Sequence, residues 1–314
     1  MINKLLVVGT MAYDSIQTPY DKVENILGGA ATYISLAASN FDINICIVSV
    51  IGEDFKSNHI DVLEKRNINL TGVEKIKGGK TFFWSGKYRE NFNIRDTLKT
   101  KLNVLENFSP EVPSKWKNSK ILLLGNLHPG VQLLALNQMS KKPELIILDT
   151  MNFWIDNFRE TLDKVISGVD IICINNEEAL DLTQQKTLVE AANKIQKCGP
   201  KYVIIKKGEH GAMIFNEENV FFSPAFPLKT IKDPTGAGDS FVGSFAGYLT
   251  QTNNFSFEGM KAGLIYASAI ASFSVEQFGT YGLQSLNKKM IKDRITKLLD
   301  LTNFDSALIN LDLL

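Results

Sequence analysis

The stretch from Asp233 to Gly243, Asp-Pro-Thr-Gly-Ala-Gly-Asp-Ser-Phe-Val-Gly, holds the residue types best placed to do chemistry. Gly236, Ala237 and Gly238 are small enough for the backbone to turn tightly and aim successive N–H groups at one point. The helix-like segment behind them adds its own unpaired N–H groups and the positive end of its dipole. With Thr235, such a turn holds an anion. Asp239, at the helix start, either caps amides or faces outward and takes a proton from a bound molecule. A capped loop entering a core helix would carry the same residues, so the turn alone leaves both readings open.

Other positions carry weaker versions of the same ambiguity. Asp14 follows the apolar run Leu5–Val8, at the strand end where open α/β sheets bind ligands. A turn-capping Asp has the same context. Gly28-Gly29 precedes an Ala-rich helix from Ala30 to Ser39, and two glycines permit close approach to a ligand and hinge motion. Asn126, Asp149 and Asn152 fall at the ends of further strand-like runs. Asn175-x-x-Glu178 marks a strand-to-helix junction. One carboxylate and one amide suffice for magnesium, which keeps most of its waters, and the same spacing makes a capping box. Lys206 to Gly211 joins two strands through Gly208 and Gly211, with His210 as a solvent-facing turn residue. Gly78-Gly-Lys-Thr81 imitates the end of a P-loop, but Glu74 stands where the first Gly is needed and a strand-like run follows.

In their order along the chain, Gly28-Gly29-Ala-Ala-Thr32, Asn175-Asn-Glu-Glu178 and Thr235-Gly-Ala-Gly-Asp239 resemble the ribokinase-like, PfkB-type family of carbohydrate and nucleoside kinases. The resemblance runs from Asp14 to about Gly279. It implies ATP-dependent phosphorylation of a small alcohol, with Asp239 as general base and the Gly236-Ala237-Gly238 turn as anion hole. It places Asp14, Gly28, Gly29, Thr32, Trp84 and Asn126 against the acceptor. Asn175, Lys206, Gly208, Gly211, Thr235, Gly236, Gly238, Gln277 and Gly279 are implied at the nucleotide, with the loop Gln277–Thr280 walling the adenine. Glu178 and Asn175 would organise Mg2+ through water, and Asp233 and Thr235 would lie beside a monovalent cation such as K+. The chain departs from the family in three places. Thr32 and Tyr33 stand where many relatives place an Asn, Asp149-Thr-Met-Asn152 is one residue longer than the family's Asp-x-Asn, and Lys207 replaces an apolar residue.

The elements that must position these residues read as an α/β chain, doubly wound around a mainly parallel sheet. Apolar runs at Leu5–Val8, Ile43–Val50, Ile121–Leu124, Leu145–Leu148, Asp170–Ile174 and Tyr202–Lys206 look like buried parallel strands. Helical stretches near 56–66, 131–140, 156–167 and 187–198 separate them, as in βαβ units. Late helices are expected from Asp239 to about Thr250, over 257–273 and over 286–300. Residues 15–27 read as a hairpin and 73–105 as strands of a small accessory sheet. Insertions at about 12–28 and 73–105 thus form a lid on a single domain spanning 1–314. In the lid, Phe83, Trp84, Tyr88 and Phe92 are able to stack on a sugar or base, or to pack its underside. Lys87, Arg89 and Arg95 raise the thought of a phosphorylated acceptor, although isolated basic residues are usually only solvated.

Composition removes several classes. Of 314 residues 44% are hydrophobic, ample for a core, and 34 basic residues balance 34 acidic ones. That balance points away from nucleic acid and anionic membranes. Three cysteines without metal-ligand spacing read as reduced residues of a soluble cytoplasmic protein. The N-terminal apolar run is too short for a signal peptide, and no segment approaches membrane-spanning length. Val7-Val-Gly-Thr-Met-Ala12 lacks the Gly-x-Gly-x-x-Gly of a dinucleotide-binding oxidoreductase. What remains is a kinase for a small sugar, a nucleoside kinase on the same fold, or a non-catalytic sugar- or nucleotide-binding regulator. The intact Asp239 and glycine turn argue against the regulator. The exposed edge of a lid sheet would suit pairing with a second copy.

Overall fold

The structure, a computed structural model, describes residues 4–92 and 94–303. Its strands are β1 (Lys4–Val8), β2 (Ala12–Gln17), β3 (Lys22–Gly28), β4 (Asn44–Gly52), β5 (Ile68–Ile76), β6 (Phe82–Tyr88) and β7 (Arg95–Lys101). They continue as β8 (Ile121–Leu124), β9 (Leu145–Asp149), β10 (Ile171–Asn175), β11 (Tyr202–Lys206), β12 (Ala212–Phe215) and β13 (Val220–Ser223). The helices are α1 (Ala30–Ala38), α2 (Ser57–Glu64), α3 (Pro129–Asn137), α4 (Asn152–Asn157), α5 (Arg159–Ile166) and α6 (Asn176–Thr183). After them come α7 (Leu188–Gln196), α8 (Ala237–Thr252), α9 (Phe257–Ser274), α10 (Tyr281–Gln284) and α11 (Lys288–Asp300).

Nine strands form one sheet in the order β13-β12-β11-β10-β9-β8-β1-β4-β5. The pairings from β11 through to β5 are parallel, and β12 and β13 close one edge antiparallel. The central strands are apolar at their inner positions because helices cover both faces and successive side chains alternate between them. Leu5 and Val7 pack with residues of α1, α8 and α9 on one side. Leu6 and Val8 pack with residues of α3, α5, α6 and α7 on the other. The carboxyl ends of β1, β9, β10 and β11 then open at one edge of the sheet, where loops gather.

A second sheet, β3-β2-β6-β7, forms the lid. β2 pairs antiparallel with β3 and parallel with β6, in a register that sets Asp14 opposite Trp84. β6 pairs antiparallel with β7, setting Tyr88 opposite Arg95. The expected boundary at residue 73 is corrected: β5 stays in the large sheet, paired with β4 as far as Gly52 and Ile76, and the lid strands resume at Phe82. The chain passes from one sheet to the other almost without a break, so residue pattern does not mark the junction. The stretch 156–167 is two helices, broken where Phe158 leaves helical geometry at φ −134° and ψ 34°.

Candidate active site

The Thr235–Asp239 turn is built as its small residues require. Gly236 has φ +75°, a left-handed conformation, and a Cβ there would fall 2.3 Å from the Tyr33 ring. α8 starts immediately afterwards, and its first-turn N–H groups have no intrahelical partner. Ala237 and Gly238 at that start line a cavity of about 540 Å³. Lys206, Gly208, Gly211, Phe226, Leu228, Ala271 and Val275 line the same cavity. A deep, largely apolar pocket therefore ends on a helix N-terminus, a suitable seat for a phosphate.

Asp239, in the first turn of α8, is only partly exposed. Burial, and then the charge of Asp149, push its carboxyl up to about 7, while Lys206 and Arg95 pull the other way. Lys206, at the end of β11, donates to Asp149 Oδ1 at 2.8 Å, with side chains 17% and 7% exposed. Burial works against the lysine's charge, yet Asp149, Cys173 and Glu178 hold it firmly protonated. A Cβ at Gly238 would stand 3.1 Å from Lys206 Nζ, so the ammonium lies directly beside the turn.

Asn175 and Glu178 form a reciprocal capping box at the start of α6. Glu178 N donates to Asn175 Oδ1 and Asn175 N to Glu178 Oε2, both at 2.8 Å. The amide of Asn175 thus works for the helix. The Glu178 carboxyl is buried and raised to about 7, first by burial, with Lys206 opposing.

Across the cleft, Asp14 of β2 is 4% exposed, and a Cβ on Gly28 would lie 1.9 Å from its Oδ2. Burial, then Asp233 and Asp239, raise its carboxyl to about 7. Gly29 has φ +93°, and a Cβ there would meet the backbone of Thr10 at 2.5 Å. The two glycines therefore let α1 begin directly against Asp14. Tyr33 of α1 is buried, its hydroxyl has no protein partner, and the charges of Asp14, Asp233 and Asp239 all act on it.

Several residues take places other than those expected. Thr32 is fully buried in α1, and its Oγ1, like the Tyr33 hydroxyl, has no hydrogen-bond partner among the described residues. Asn126 accepts from Trp154 Nε1 at 2.7 Å and donates to Met151 Sδ at 3.2 Å, so its amide is occupied. The ring of Trp84 closes over Gly86, where a Cβ would lie 2.1 Å away, and Arg95 stacks 5.0 Å from its centroid. It is a support for Arg95 rather than a free stacking face. Gln277 accepts from Lys232 at the surface, and the cavity wall is made instead by residues 225–228, 268, 271, 272 and 275. Asp233 accepts from Thr235 N at 2.9 Å and Gly279 N at 2.8 Å, clamping the turn to the Gly279 loop. Thr235 Oγ1 shares a 3.0 Å hydrogen bond with Tyr88 OH from the lid. These bonds give Asp233 and Thr235 structural partners where a monovalent cation was expected.

The sequence names Lys206, Asp149, Arg95 and Tyr33 singly but not the buried Asp149–Lys206 pair, the orphan Tyr33 hydroxyl, or the charge of Arg95 acting on Asp14, Glu178 and Asp239 at once. The departure from Asn at Tyr33 was the one local signal among them.

An anion seat, an elevated carboxylate beside it and a second carboxylate across the cleft suit phosphoryl transfer to a hydroxyl group. The chain belongs to the family described as pfkB family carbohydrate kinase, whose model matches residues 2–286. It is 28% identical over 251 residues to the cytidine kinase of Thermococcus kodakarensis, covering 78% of this chain and 88% of that one. It is 24% identical over 307 residues to the nucleoside kinase of Methanothermobacter thermautotrophicus, covering 88% and 90%. The solved structure of a putative ribokinase II from E. coli, in complex with ATP and Mg2+, superposes with a TM-score of 0.79 at 19% identity, covering 94% and 100%. Among the described residues, no helix is long and apolar enough to cross a membrane.

Proposed function

We propose that this protein is an ATP-dependent, magnesium-requiring kinase that phosphorylates a sugar-ring hydroxyl of a neutral acceptor, a nucleoside in preference to a free sugar. The observation that carries the reading is Asp239 in the first turn of α8, directly after the Gly236–Gly238 cradle and within the field of Asp14. The large cavity takes the nucleotide, with its phosphates directed at the N–H groups of α8 and at Lys206. Asp14 and the orphan hydroxyl of Tyr33 hold the acceptor, and Asp239 receives the proton of the attacking hydroxyl. N–H groups of the turn stabilise the charge that develops on the transferring group. Residues 12–28 and the strands from Phe82 to Lys101 act as one lid on a single domain, joined to the turn through Tyr88 and Thr235, and closure excludes water.

The residues fit magnesium through one carboxylate. Glu178 is buried with one oxygen uncommitted and an elevated pKa, a state that a nearby cation relieves. Among the described residues no group of three or more His, Cys, Asp or Glu gathers to hold a metal, so Glu178 would act through metal-bound water. Bound magnesium supplies charge neutralisation to the phosphates.

The acid cluster of Asp14, Asp233 and Asp239 disfavours an anionic acceptor. The relatives named as cytidine and nucleoside kinases support the nucleoside. ADP release from ATP-Mg with cytidine, inosine, adenosine, ribose, fructose and fructose 6-phosphate tests the reading, with Asp239→Asn run in parallel. Turnover with a nucleoside, lost in the variant, supports it; turnover only with fructose 6-phosphate would overturn the neutral acceptor.

A further inference from the structure

Residues 225–228 and 231, from the segment that joins β13 to α8, form an apolar wall of the large cavity. That segment has no helix or strand of its own. Among the described residues, no backbone group of 225–231 pairs with another backbone group, and Pro224 and Pro227 have no N–H to offer. Backbone pairing resumes at Lys232 and Asp233, whose N–H groups both donate to Val275 O. A wall without backbone bonds keeps its shape through side-chain contacts. Arg294 of α11, which does not line the cavity, makes such a contact from behind. Its guanidinium carbon lies 4.4 Å from the ring centroid of Phe226 and 3.8 Å from that of Phe273 on α9. Nη1 donates to Ser272 Oγ at 2.7 Å and Nη2 to Glu276 Oε2 at 2.9 Å. The Arg294 side chain is only 13% exposed, and Ser272 Oγ in turn donates to Ala269 O at 2.7 Å. The fork is thus fixed by α9 and the turn after it, while the charge stands over the Phe226 ring.

Resting on the kinase reading above, we propose that Arg294 is a positioning residue of the donor pocket, holding Phe226 and with it the 225–231 wall against the base of the nucleotide. A cation above an aromatic ring attracts it, and more strongly where water is excluded. Phe273 shares the same charge from the α9 side, so Arg294 ties a segment without backbone bonds to a long helix. A wall ordered in advance spares the nucleotide the entropy of ordering it on binding. The contribution therefore falls on donor affinity. It does not fall on the transfer step, because Arg294 touches neither the glycine cradle nor Asp239. Lysine is a poor substitute, since one ammonium lacks the planar fork that meets Ser272 and Glu276 together.

The experiment compares Arg294→Ala, Arg294→Lys, Phe226→Ala and the Arg294→Ala/Phe226→Ala double variant with the wild type. Titration calorimetry with ADP-Mg gives affinity without turnover, and initial rates use ATP-Mg with whichever neutral acceptor the wild type turns over. Arg294→Ala is expected to weaken ADP binding and raise the ATP KM by about tenfold, the size of one lost aromatic contact. Its kcat and acceptor KM stay within about threefold of the wild type. Arg294→Lys falls between, and it carries the test if Arg294→Ala fails to fold. Because Arg294 acts through Phe226, the double variant is expected to bind ADP no more weakly than Phe226→Ala alone, whereas independent roles would multiply the two losses. Multiplied losses would overturn the proposal. So would a lowered thermal midpoint with wild-type ADP affinity, which would make Arg294 a structural tie and no more, and the kinase reading would stand in both cases. A wild type that neither binds ADP-Mg nor turns over any acceptor would overturn the kinase reading itself, and this proposal with it.

Discussion

Replacing Lys206 by Met separates two roles that one ammonium plays. The lysine is paired with Asp149 at 2.8 Å in a largely buried setting, so its removal strands a carboxylate. Losing one partner of such a pair costs about 3–5 kcal/mol. At this chain length that corresponds to a fall in thermal midpoint on the order of 5–10 °C. Lys206 also lowers the pKa of Asp239, whereas Asp149, the larger influence, raises it. Lys206→Met therefore shifts the acid limb of kcat/KM to higher pH, and Asp149→Asn shifts it lower. In the double variant the stranded charge is gone and the two electrostatic effects oppose one another. Its midpoint recovers above that of Lys206→Met, and its acid limb returns towards the wild type. Nucleotide affinity is not expected to recover, since Lys206 lines the cavity proposed above for the nucleotide. Differential scanning calorimetry and pH–rate profiles on the four proteins give the full cycle. A Lys206→Met protein with wild-type midpoint and unmoved acid limb would refute the reasoning, because neither the buried pair nor the field at Asp239 would then matter.

Two further outcomes follow from the cleft. Asp14, Glu178 and Asp239 each have a folded-state pKa of about 7, above the ordinary carboxyl value, so the folded protein binds more protons than the unfolded chain between about pH 4 and 7. Stability is highest at the acid end of that window and is lost as pH rises through 7, by at most about 4 kcal/mol per group. The thermal midpoint of the ligand-free enzyme should thus be higher at pH 5.5 than at pH 8, with the slope reduced in Asp14→Asn; a midpoint that climbs with pH would contradict it. Gly28→Ala sets a methyl 1.9 Å from Asp14 Oδ2, and the carboxylate end must swing away. Acceptor KM should rise about tenfold or more, the loss of one charged hydrogen bond, with ATP KM unchanged; equal effects on both substrates would place Asp14 outside the acceptor site.

Much of this fold is written locally. The runs Leu5–Val8, Ile121–Leu124 and Leu145–Leu148 are apolar throughout because helices cover both sheet faces, and that pattern needs no tertiary knowledge to read. The glycines of the turn are equally legible, since Gly236 and Gly29 occupy backbone conformations that other residues resist. Trp84, Asn126 and Gln277 were misjudged for one shared reason. Residue type announces what a side chain is able to contact, while Gly86, Trp154 and Lys232 decide what it does contact, and only Gly86 is near in sequence. Asn175-x-x-Glu178 shows both readings together, a formed capping box whose carboxylate retains a free oxygen. Arg95 and Tyr33 stand out in the sequence as a lid cation and a departure from an Asn, but the carboxylates from distant strands that act with them are set only by the fold.

The most direct test of the central claim is kcat for Asp239→Asn beside its ATP dissociation constant, measured on one preparation with a saturating neutral acceptor. Loss of a general base predicts a fall in kcat of about 10²–10⁴-fold with ATP affinity within a few-fold of the wild type. A variant that turns over at near wild-type rate would contradict the account, leaving Asp239 as the cap of a core helix and no more.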